Sequence, residues 1–249
     1  IIDCTSNFNL GDGSNVGFVT FKDIDLTAPD GFNGRYVFNT NVSANVGEIK
    51  FESCKIHNFR GMLRMKDTGP GILDKYTIVD CVIDSIRDYG LLTVDRNDWA
   101  VNNILIQNST ISKARSFMTS KNNSNTLISD GCTISESPQN GRQIFRWREA
   151  GQDDVIEGIS ITNTIWGHGW NEDGGDDYLV DGFDGMPNTT WIITNTYATV
   201  DFGYAEGKDE IPGFPSFTYS GSAADLWTDP YSSIFDFKDT GFAGKSDSG

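Results

Sequence analysis

Six short segments of this chain share one local pattern: IKFESCKIHNF, YTIVDCVIDSI, ILIQNSTISKA, TLISDGCTISES, ISITNTIWGHG and WIITNTYATV. FVTFKDIDLTA and FDFKDTGFAGK are looser versions near the two ends. Each runs an alternating apolar strand into Asn, Asp, Gly or Ser, passes a compact position, and starts a second short strand. That position falls at Ile24, Cys54, Cys81, Ser109, Cys132, Thr164, Thr196 and Thr240, with Cys4 as a first member. The gaps are 30, 27, 28, 23, 32, 32 and 44 residues. A recurring unit of that size means a solenoid or a propeller.

Three features favour the solenoid. The strands are short, alternate with period two and are rich in β-branched residues. Helical punctuation is nearly absent. Each unit has one tight bend between two strands and two looser loops elsewhere, as in a three-sided coil. Asn and Asp suit the bend because they tolerate left-handed backbone and bond their own main chain. Coils stacked ~4.8 Å apart turn the compact positions into an inward ladder. The four cysteines then read as free, buried thiols, with a disulfide as the alternative. None belongs to a C-x-x-C pair, so spacing does not point to zinc or redox chemistry. The expected fold is all-β: a single-stranded parallel β-helix of roughly eight or nine coils with three parallel sheets, filling residues 1–249 as one domain.

Composition supports a packed core, at 37% hydrophobic and 22% charged residues. No apolar run approaches a membrane span. The chain opens on IIDC, which reads as mid-strand and not as a leader, so the expectation is a module of a longer protein. Net charge is −16, from 19 Lys and Arg against 35 Asp and Glu. Such a field repels nucleic acid and anionic membrane. It also disfavours a densely charged polyuronate unless basic groups gather locally.

On this repeat pattern the chain resembles, over nearly its whole length, the right-handed parallel β-helices of pectate lyases, polygalacturonases and their non-catalytic relatives. The resemblance implies that the strand following each bend pair floors a substrate groove. Those strands are RYVFNTN, GMLRMKD, GLLTVDR, SFMTSKN and QIFRWRE. Alternation turns Leu63, Met65, Leu92, Val94, Met118, Ser120, Phe145 and Trp147 inward. Arg64, Lys66, Thr93, Asp95, Thr119, Lys121, Arg146 and Arg148 then face out, because unpaired polar groups do not bury. Arg96 joins this face. The bland reading is a solvated sheet with weak cross-strand ion pairs. The functional reading is a floor for sugar hydroxyls, with an arginine for a uronate branch. Tyr89, Trp99, Trp166, Trp170 and Tyr178 lie in flanking loops, where exposed rings stack on pyranose faces. Trp191, inside TTWIITN, is assigned to the core.

The polygalacturonase pattern of an Asp pair, Gly-His-Gly and Arg-x-Lys is not met in order. Asp153-Asp154 follows the floor strand and belongs to an edge turn, and no Arg-x-Lys follows His168 in GHG. A lyase needs a base and usually a cation, and Asp95 is the one outward carboxylate on the floor. The loop NEDGGDD offers Asp173, Asp176 and Asp177 as weak calcium candidates, although a solvated acidic loop is the favoured reading, since charge runs are usually just solvated. No cofactor is expected. The resemblance therefore points to a non-catalytic module like the β-helical, xylan-targeting carbohydrate-binding modules of bacterial plant-cell-wall enzymes. It implies an extracellular or cell-surface location and a linked catalytic domain. A β-helical lyase or glycosidase, and a structural or adhesive repeat, are the alternatives.

Overall fold

The computed structural model describes residues 1–11, 13–29, 31, 34–40, 42–66, 70–138, 144–169, 186–202 and 211–246. These build an all-β parallel solenoid of about six turns with almost no helix. One face stacks Ser14–Lys22, Ala44–Glu52, Gly71–Val79, Trp99–Gln107, Ser124–Asp130, the first half of Val155–Trp166, and Trp191–Thr199. A second face stacks Ile2–Asp3, Asp25–Thr27, Lys55–Phe59, Val82–Ile86, Thr110–Ala114, Thr133–Ser135 and the second half of Val155–Trp166. Val155–Trp166 runs unbroken round the corner and joins the two faces. The third face is a separate five-stranded sheet: Tyr36–Thr40, Gly61–Met65, Leu92–Val94, Met118–Ser120 and Phe145–Trp147.

The bend between the first two faces is a column of left-handed residues. Asp23, Ser53, Asp80, Asn108, Gly131, Asn163 and Asn195 have φ of 55°, 53°, 54°, 48°, 64°, 54° and 51°. An ordinary side chain loses ~1–2 kcal/mol in that region, which selects Asn, Asp and Gly. Immediately after the bend, Cys54, Cys81, Ser109, Cys132, Thr164 and Thr196 are each no more than 3% exposed. Rung-to-rung bonds from Val82 N to Cys54 O, Thr110 N to Cys81 O and Thr133 N to Ser109 O keep them in line. All four cysteines are free thiols. Burial pushes the thiols of Cys81 and Cys132 up to about 12 and about 11, so both are inert at neutral pH.

Two features depart from the expected coil count. Ile2–Asp3 pairs on the second face alone, so the first coil is partial. Thr240 is exposed beyond a hairpin of Trp227–Asp229 and Ile234–Phe237, which pair antiparallel. FDFKDTGF mimics the repeat because hairpin strands alternate with the same period. With a short turn of helix, Ala223–Leu226, this hairpin buries Trp227 in its own small cluster against Ile165. It is tied to the second face where Ser233 Oγ donates to Asp84 Oδ1 at 3.1 Å and Lys113 Nζ to the Tyr231 carbonyl at 2.8 Å.

Candidate functional site

The five-stranded face matches the expected floor in strand choice and register. Leu63, Met65, Leu92, Val94, Met118, Phe145 and Trp147 are buried inward, with Ser120 among them. Trp147 is accommodated because its indole N–H donates to Ser124 Oγ at 3.2 Å. Facing out, Asn39, Arg64, Thr93, Thr119 and Arg146 align rung on rung. The next outward column is Lys66, Asp95, Lys121 and Arg148, set by ladder bonds from each N–H to the rung below.

The lower rungs are already paired. Arg64 Nη2 lies 2.7 Å from Asp95 Oδ2, and its Nη1 reaches the Tyr36 hydroxyl at 3.2 Å. At the edge, Arg60 and Arg115 each place a nitrogen 2.7 Å from Asp88. The Arg64 guanidinium sits 4.2 Å from the Tyr89 ring centre, so one face of that ring is covered. Burial raises the Tyr36 hydroxyl to about 12, against the opposing pull of Arg64 and Arg60. It stays a neutral donor and acceptor.

The upper rungs differ. Lys121, Arg146 and Arg148 form no ion pair with the described residues. The Nε of Arg146 is enclosed and has no hydrogen-bond partner. Arg146 and Arg148 line a cleft of about 100 Å³ together with Asp88, Tyr89, Asp95 and Thr119. Over these rungs Arg60, Arg64, Lys66, Arg115, Lys121, Arg146 and Arg148 face two carboxylates, Asp88 and Asp95. Seven cations less two anions leave +5 among the described residues here, in a chain whose net charge is −16. Arg96 is displaced to the far edge, where it is exposed and 3.6 Å from Asp98.

The aromatic wall is corrected. Trp99 is fully buried, because it opens the strand Trp99–Gln107 and alternates in phase with inward Val101. Its indole lies over Gly71, where a Cβ would come within 2.2 Å of the ring. Trp166 is also fully buried: it closes Val155–Trp166 in register with Ile134, with Phe117, Phe202 and Phe214 around it. Neither ring can stack on a sugar. Trp191 is half-buried and packs on Phe145 at 6.1 Å, as a core ring. Trp170, Tyr178, Asp173, Asp176 and Asp177 lie outside the described residues. Among the described residues no group of three or more His, Cys, Asp or Glu is placed to hold a metal ion.

The suggestive letters of the polygalacturonase pattern are dispersed. Asp154 accepts from Asn188 N and Nδ2 at 2.8 and 2.9 Å and so braces the next coil. His168 lies at the other corner, 3.7 Å from Asp201 and packed edge-on against Tyr231. Sequence reasoning missed Arg60, Asp88 and Arg115 as members of the floor. Their signal was charged residues just ahead of successive floor strands.

Two wider depressions, about 470 and 480 Å³, lie on the first face around Asn45 and Ile72. Their linings contain no Lys or Arg. Residues 3–114 match a family model described as a domain of unknown function, DUF4957, and are similar to that family. No curated protein matches the chain. No solved structure matches it either.

Proposed function

We propose that the chain binds an extended plant-cell-wall polysaccharide, xylan in the first instance, across the five-stranded face, and does so without cleaving it. One observation carries the reading: aligned polar columns on a flat sheet end in guanidinium groups, those of Arg146 and Arg148, that form no ion pair among the described residues. An enclosed, unpaired donor such as the Arg146 Nε is unfavourable unless a ligand or water satisfies it. A chain of hydroxyl-bearing sugars laid across successive rungs meets one donor or acceptor every ~4.8 Å. With Trp99 and Trp166 in the core, recognition by the described residues rests on hydrogen bonds and charge more than on ring stacking. A wet, open face gives modest affinity.

The test is affinity electrophoresis in soluble xylan, beside a pectate gel, with assays for reducing ends and unsaturated products. Retarded migration in xylan without product release supports the reading. Product release would convert it into the lyase or glycosidase alternative. Unchanged mobility in every polysaccharide would leave a structural repeat.

A further inference from the structure

We infer that the cleft of Arg146 and Arg148 is an oxyanion subsite, which takes the carboxylate or sulfate ester of an acidic sugar while the uncharged backbone of the glycan lies on the sheet outside. The inference rests on the polysaccharide reading and narrows it. Three observations support it. First, the two carboxylates in the cleft wall do not repel an anion, because Asp88 is held by Arg60 and Arg115 and Asp95 by Arg64. Second, among the described residues Arg146 and Arg148 form no ion pair, and the Arg146 Nε is enclosed without a partner. A planar guanidinium fork matches a two-oxygen anion and strengthens as water leaves. Third, about 100 Å³ is room for several waters, on the order of one oxyanion group and not a pyranose ring. The cleft therefore selects a charged substituent and leaves the sugar ring on the open face.

The sign of the local field agrees. The chain as a whole repels polyanions, and the +5 patch reverses that over a few rungs. A sparsely charged glycan, with acidic groups on separate branches, meets the patch without running its other charges along acidic surface.

Calorimetric titration with a glucuronate-substituted xylo-oligosaccharide and its unsubstituted parent tests this, with an O-sulfated analogue as a third arm. The substituted ligand is expected to bind at least about tenfold tighter in low salt, with the advantage shrinking at 0.5 M NaCl. Arg146→Gln and Arg148→Gln should erase that advantage, so that each variant binds the substituted and parent ligands within about twofold of one another. The sulfated arm decides whether the subsite reads carboxylate alone or any oxyanion. Equal binding of substituted and parent ligands overturns the subsite and leaves the polysaccharide reading standing. If none of the xylan ligands binds, the polysaccharide reading falls. Free methyl glucuronide then decides the subsite by the ¹⁵Nε resonance of Arg146: a shift retains it, and an unmoved resonance overturns it.

Discussion

Glu136 sits at a left-handed corner with φ of 49° and is 8% exposed. Burial is the main force on its carboxyl. Lys113 opposes, 3.7 Å away, while Asp84 and Asp229 add repulsion, and the group is pushed up to about 7. Tyr231, from the C-terminal hairpin, faces the same group. The folded value exceeds the ordinary carboxylate value, so the folded state holds this proton more tightly than the unfolded chain does. The resulting stabilisation is complete at pH 4 and is lost as pH rises through 7. Glu136→Gln should therefore raise the melting temperature at pH 8, by an amount worth on the order of 1–3 kcal/mol, and change it little at pH 4. An equal shift at both pH values would show that burial does not govern the group. Trp99 gives the second prediction at this scale. Trp99→Ala should cost ~3–5 kcal/mol in a denaturant melt, as expected for a fully enclosed indole. A loss under 1 kcal/mol would return the ring to the surface. The sequence misplaced it because DRNDW reads as loop through Asp98, and one residue separates a loop tryptophan from a strand tryptophan.

Strands and the first corner were the most readable elements. Alternation gave the floor register, since a one-residue slip would bury Arg64 and Arg146 and expose Leu63 and Phe145. The bend column was visible because Asn108, Asn163 and Asn195 are the residue types that left-handed backbone selects. The second corner column was not visible. Asn58, Ser85, Lys113 and Glu136 occupy it with φ of 61°, 59°, 52° and 49°, and Lys and Glu carry no turn signal. There the stacked coil imposes the conformation and the side chain tolerates it. Asn163→Ala tests the contrast, because Asn163 also donates to Asp130 Oδ1 at 2.8 Å and accepts from Asn195 Nδ2 at 3.1 Å. Burial alone would raise the Asp130 carboxyl, yet bonds from Thr162, Asn163 and Gln107 hold it below its ordinary value. The substitution should lower stability by ~1–3 kcal/mol, from backbone strain plus the lost ladder bonds. Lys113→Gly should relieve the strain at its own corner, but it also removes the ties to Glu136 and the Tyr231 carbonyl.

At the scale of the molecule, the solenoid concentrates what the sequence disperses. Residues 60, 64, 115, 146 and 148 span most of the first five repeats, and stacking brings their guanidinium groups onto one face. The linear charge count, dominated by acid, hid that patch. It became legible once register was known, because neighbours on a floor rung are ~23–30 residues apart in the chain. The floor strands themselves were found from pattern alone, whereas the cleft depended on which arginines were already paired, a fact of geometry. The central claim is that ligand lies on the five-stranded face, and amide chemical-shift mapping with a xylo-oligosaccharide tests it most directly. The account predicts shifts in residues 61–66, 92–96, 118–121 and 144–148. Shifts centred on residues 14–17, 44–47 and 71–74, around the wider depressions of the first face, or no shifts at saturating ligand, would contradict it.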